Sequence, residues 1–150
     1  MIESEQQKNW KILYDAMENQ QRVVVEFKQD STRYACQGYV LNLTPISMLF
    51  EEYEGEKKDA LSVHDLRCLI SVRVVSTELK ELEREIVKGL GEPDIYLRHD
   101  ECSIHIVTLY EYVGRDVFKK LNKILNKFDY ELIGVEACKD KLSFTIMKKD

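Results

Sequence analysis

In the segment RDVFKKLNKILNKF, residues 115–128, apolar side chains return at helical intervals. Val117, Phe118, Leu121, Ile124, Leu125 and Phe128 fall at the i, i+3, i+4, i+7 spacing that lines one face of a helix. Lys119, Lys123 and Lys127 occupy the opposite face, each four residues from the last. An apolar-rich segment precedes this helix (Cys102 to Tyr110) and two follow it (Tyr130 to Ala137, Leu142 to Met147). A helix with one apolar face, set between strands, is expected to lie on the sheet that those strands form.

Upstream of that unit, Ser76 or Thr77 is placed to cap a helix whose first turn holds Glu78 and Glu81, favourable charges at the positive helix end. Leu79, Leu82, Ile86, Val87 and Leu90 give its buried stripe, and Gly89, Gly91 and Pro93 stop it. Asp94 to Arg98 reads as a brief strand and His99-Asp100-Glu101 as a turn. Residues 76–150 are therefore expected to run α-β-β-α-β-β, a two-helix, four-strand sandwich domain.

The first half has a different rhythm. Ser4 with Gln7 fits a capping box, and Trp10, Leu13, Tyr14 and Met17 continue at helical spacing up to the polar break Asn19-Gln20-Gln21. The period then drops to two: Val23, Val25 and Phe27 alternate with Arg22, Val24, Glu26 and Lys28. Gln29 to Thr32 reads as a turn, and Tyr34 to Leu43 as a second strand bent at Gly38. Pro45 breaks pairing before a third strand, Ile46 to Tyr53; Glu54 to Lys58 forms a loop. Short strands from Ala60 to Val63 and Cys68 to Val75 complete five strands after one helix. Residues 1–75 are thus expected to form a helix plus a small, strongly bent antiparallel sheet or barrel. The whole chain is α+β, with a boundary near Ser76.

Over residues 8–75 this order resembles the Sm-like small β-barrel family. Helix Trp10 to Met17, strand Val23-x-Val25-x-Phe27 and the glycine-bearing strand Gly38-Tyr39-Val40-Leu41 match that order. So do Met48-Leu49-Phe50 and the closing pair Leu61 to Val63 and Cys68 to Val74. The resemblance implies a closed barrel and, in members that bind RNA, an aspartate and an asparagine beyond the second strand. Those positions fall here at Thr44 and at Ser47 or Met48. The family's later basic-glycine signature falls near Val63-His64-Asp65, which does not match. The usual RNA site of the family is thus expected to be missing. The C-terminal half brings no family to mind.

Composition bounds the function. With 44% hydrophobic and 33% charged residues, two prolines and six glycines, 150 residues suit an ordinary folded protein without linkers. No apolar run approaches the roughly 18 residues of a membrane span, and the polar start is no secretory signal. A soluble cytoplasmic protein that does not engage membranes is the expectation. Cys36, Cys68, Cys102 and Cys138 are far apart with no Cys-x-x-Cys pair, and read as reduced, buried thiols. The net charge of −5 opposes phosphate backbones unless cations gather on one face. Residues 115–150 do reverse the balance, with nine bases against six acids.

Candidate chemistry is sparse. His99, Cys102 and His105 are close in sequence, but on an extended strand Cys102 and His105 face opposite ways, so no metal centre is expected. His64-Asp65 are neighbours whose side chains diverge, and a loop is the expected setting. Glu51, Glu52, Glu54 and Glu56 read as a solvated hairpin. No Gly-x-Ser-x-Gly elbow or phosphate-binding glycine loop is present. Lys119, Lys120, Lys123 and Lys127, with Lys139, Lys141, Lys148 and Lys149, form a candidate partner or nucleic-acid face, although lysines without arginines recognise phosphate diffusely. Tyr34, Tyr39, Tyr53, Tyr96, Tyr110, Tyr112 and Tyr130 suit a contact surface or sheet-edge packing. No catalytic residue, cofactor or metal is expected. The expected function is a non-catalytic, regulatory protein acting through contact with another protein or with itself. RNA binding in the Sm-like manner is the alternative, and a small-ligand or enzymatic pocket the second alternative.

Overall fold

A computed structural model describes residues 4–53, 60–91, 95–99, 103–108, 114–138 and 141–149, with Cys138 and Lys141 by backbone only. The protein is α+β, with three α-helices and two antiparallel sheets among these residues. It divides into two compact units, the described residues up to Val75 forming one and those from Ser76 the other.

The first unit opens with α1 (Glu5–Glu18). Ser4 Oγ accepts from Gln7 N at 3.2 Å while Gln7 Oε1 accepts from Ser4 N at 3.0 Å, the reciprocal capping box expected there. Five strands follow: β1 (Val23–Gln29), β2 (Thr32–Leu43), β3 (Ser47–Glu52), β4 (Leu61–Asp65) and β5 (Leu69–Val74). Asp30 and Ser31 join β1 to β2 in a two-residue turn with both φ values positive, which matches the right-handed twist of a hairpin. The sheet order is β4-β3-β2-β1-β5. β4 and β5 are its two edges, joined by a single 3-10 turn, Leu66–Cys68, and the sheet does not close into a barrel.

Register places Val23, Val25 and Phe27 of β1 beside Gly38, Cys36 and Tyr34 of β2. Gly38 in turn faces Glu52 of β3, and Met48 of β3 faces His64 of β4. One face of the sheet therefore runs from Val25 through Cys36 and Phe50 to His64, and it packs with Leu13 and Ala16 of α1 in the core. Tyr14, expected in that helical stripe, is exposed and stacks on Trp10 instead, ring centroids 5.5 Å apart. Gly38 allows a close approach of β2 to β3: a Cβ there would sit 2.0 Å from the Glu51 carbonyl oxygen.

The second unit runs α2 (Thr77–Leu90), β6 (Tyr96–His99), β7 (Ile104–Val107), α3 (Arg115–Lys127), β8 (Tyr130–Cys138) and β9 (Lys141–Lys148). Ser76 caps α2 through Leu79 N, and Gly91, at φ 69°, ends it in the left-handed region. The strand order is β6-β7-β9-β8. Leu82 and Ile86 of α2 and Leu121 and Leu125 of α3 meet Leu97, Ile106, Phe144 and Ile146 of the sheet in one core. Phe118 departs from the expected stripe: it is 37% exposed, whereas Val117 beside it is half-buried. Glu83 of α2 is buried, and its carboxylate accepts the Leu97 N–H of edge strand β6 at 2.9 Å. A backbone donor on a sheet edge is thereby satisfied by a helix side chain.

Candidate functional site

His99 is not a turn residue but ends β6, buried; His105 lies buried on β7. In the pairing, His99 opposes Ile104 whereas His105 opposes Arg98, so the two imidazoles lie on opposite faces of the sheet. His105 is held between hydroxyls, Ser103 Oγ at 2.9 Å from Nε2 and Thr145 Oγ1 at 3.0 Å from Nδ1. Cys102 lies outside the described residues.

His64 and Asp65 also separate. Asp65 is exposed, accepts from Arg67 N at 2.9 Å and forms a paired hydrogen bond with the Arg67 guanidinium; these bonds hold its carboxyl below the usual range. His64 belongs to β4, not to a loop, and turns inward. Its ring stacks on Phe27, centroids 4.7 Å apart, and meets Phe50 edge-on at 5.8 Å. Burial lowers its pKa from the ordinary value, partly offset by the Glu52 carboxylate, so the ring is neutral at pH 7. Ser62 Oγ lies 2.8 Å from its Nε2.

Glu51 and Glu52 sit on β3 as half-buried strand residues, which corrects the solvated-hairpin reading; Glu54 and Glu56 lie outside the described residues. Glu52 shares the inward face with Cys36 and His64. A ligand atom from each of these three side chains lies within 4.8 Å of the others. Burial, reinforced by the Glu52 carboxylate and its hydrogen bond, pushes the Cys36 thiol up to about 11. Sequence spacing gives no sign of this cluster, because it comes from three strands.

A cleft of about 680 Å³ opens beside α1, walled by Trp10, Pro45, Ile46, Leu66 and Leu69 with Asn9 and Arg67 as polar groups. Trp10 Nε1 donates to Thr44 O at 2.9 Å, and Asn9 Nδ2 to Ile70 O at 3.4 Å. Neither His64 nor His105 lines it.

Lys119, Lys120, Lys123 and Lys127 are all exposed along α3. Lys148 instead pairs with Glu78 and lies over the Tyr130 ring, and Lys149 donates to Asn126 at 2.6 Å. Lys139 is outside the described residues and the Lys141 side chain is not described, so the lysine face is seen on α3 alone. Among the described tyrosines, Tyr34 stacks on Phe27, Tyr39 meets Tyr53 edge-on, and Tyr130 is buried. Tyr110 and Tyr112 lie outside the described residues.

On the outward face of β4, Leu61 is 59% and Val63 74% exposed, with Val63 directly opposite Leu49 of β3. Among the described residues, no helix is long and apolar enough to cross a membrane. Compared with models of known families, with curated proteins and with solved structures, the chain matches none of them.

Proposed function

We propose that the chain is a non-catalytic binding protein that acts by strand pairing at the β4 edge, with a second copy of the same chain as its first partner. One observation carries this reading: β4 is an edge strand whose outward side chains, Leu61 and Val63, are apolar and exposed. Folded proteins ordinarily blunt such edges with charge, proline or a covering segment, because an open apolar edge invites another strand. A partner strand would gain main-chain hydrogen bonds from β4 and cover the two side chains. The first unit keeps the helix-then-five-strands order on which the Sm-like resemblance rests, but its sheet is open where that resemblance implies a closed barrel. The cytosol is the proposed setting, in keeping with thiols read as reduced.

Sedimentation velocity over a range of concentrations tests the reading. Association that grows with concentration in the wild type and disappears in Val63→Lys supports it. A wild type that remains monomeric throughout, or a Val63→Lys variant that associates equally well, overturns it.

A second reading, nucleic-acid binding, is favoured by the four exposed lysines on α3. It expects affinity for RNA or DNA to fall steeply with salt and the slope to shrink when Lys119, Lys123 and Lys127 become alanine. No binding at about 50 mM salt, where electrostatic attraction is still strong, removes it.

A further inference from the structure

The inward face of the five-stranded sheet is apolar along β1, where Val23, Val25 and Phe27 are fully buried. Against that background three donor side chains converge from three different strands: Cys36 from β2, Glu52 from β3 and His64 from β4. Their ligand atoms all lie within 4.8 Å of one another. In a tetrahedral site with bonds of about 2.0–2.3 Å, ligand atoms stand about 3.5 Å apart. The cluster is therefore about an ångström from closing around an ion, which is within the reach of side-chain rotation.

We propose that Cys36, Glu52 and His64 form a binding site for a zinc-type divalent transition-metal ion, with the fourth position left to water. The donor set selects the ion. A thiolate and an imidazole suit zinc and its neighbours, whereas magnesium and calcium require oxygen ligands throughout. Charge also balances: one thiolate and one carboxylate neutralise the ion's two positive charges, so the loaded, half-buried site is neutral. The strands hold the ligands in place, since Gly38 lets β2 and β3 approach at the level of Glu52. Ser62 Oγ, 2.8 Å from His64 Nε2, would be the outer partner that orients the imidazole if Nδ1 binds the ion.

Without metal the Cys36 thiol bonds to the Glu52 carboxylate. Binding must remove the thiol proton, which passes to solvent as the metal–sulfur bond forms. Burial and the Glu52 carboxylate of β3 set this titration, and Tyr34 of β2 and His64 of β4 lie on the same face of the sheet. Affinity should consequently rise about tenfold per pH unit between about pH 7 and 9, where the thiol is protonated and the imidazole neutral.

The reduced full chain is titrated with Co2+ alone and then with Zn2+, in wild type, Cys36→Ser, His64→Gln and Glu52→Gln, with circular dichroism to check folding. Supporting results are a thiolate-to-cobalt charge-transfer band in the wild type that saturates at one equivalent and that Zn2+ abolishes. Cys36→Ser should lose the band, and His64→Gln and Glu52→Gln should each bind Zn2+ at least about tenfold more weakly. Should Cys36→Ser fail to fold, His64→Gln decides the matter through its Zn2+ affinity. A wild type with no band, a band that survives in folded Cys36→Ser, or an unchanged affinity in His64→Gln overturns the proposal.

Discussion

The rings of Phe27 and His64 lie face to face across the bent sheet, 4.7 Å between centroids and 15° from parallel. Phe27 is on β1 and His64 on β4, two strands that are not neighbours, so the contact depends on curvature. It also desolvates the imidazole and disfavours its charged form.

An acid-side prediction comes from that contact. His64 has a folded-state pKa below its ordinary 6.5, so the unfolded chain takes up its proton first as pH falls. Its stabilising contribution is complete above pH 6.5 and is lost as pH drops toward the folded value. His64→Gln should flatten the fall in stability below pH 6.5, measured by urea midpoints across a pH series. An unchanged acid limb would place the sensitivity elsewhere.

Cys36 makes the alkaline counterpart. Its thiol is raised to about 11 from the ordinary 9.0, so the unfolded chain ionises while the native state resists. Native binding of the extra proton means that stability is fully present below pH 9 and falls as pH rises toward 11. Metal-free Cys36→Ser should show a shallower decline in that window than metal-free wild type.

Gly38 cannot carry a side chain without moving β3, because a Cβ would meet the Glu51 carbonyl oxygen at 2.0 Å and Phe50 at 2.9 Å. Gly38→Ala should lower unfolding free energy by at least about 3 kcal/mol, among the larger single-residue effects. A urea midpoint near that of the wild type would show that the strands yield.

Glu83, buried on α2, accepts the Leu97 N–H at 2.9 Å. Removing the carboxylate takes that bond away, and Glu83→Ala should cost about 1–3 kcal/mol of unfolding free energy, read from urea midpoints. Glu83→Gln, which keeps an acceptor oxygen, should cost less.

The two leucines of α3 separate from its phenylalanine. Leu121 and Leu125 are each 1% exposed, so either alanine variant should lose about 2–5 kcal/mol. Phe118→Ala, at an exposed position, should cost well under half as much.

That last contrast shows what can be read from sequence. The 3.6-residue period identifies which side of α3 is apolar, and Leu121, Leu125, Leu82 and Ile86 follow it into the core. Period says nothing of where the underlying sheet ends, so it cannot reveal that Phe118 is left exposed. The capping box at Ser4 and the Asp30-Ser31 turn are local chemistry and legible for that reason. Cys36, Glu52 and His64 are different. They are 16 and 12 residues apart along the chain, and only the register of β2, β3 and β4 brings them together. Glu52 in particular sits next to Glu51 in an acidic run, and alternation along β3 alone turns it from water to the interior.

The Glu83 carboxylate on the flank of β6 gives the second sheet a polarity that its strand order alone does not. A chain adding a strand at β6 would have to displace the carboxylate from the Leu97 N–H, so that rim resists pairing at the level of Leu97.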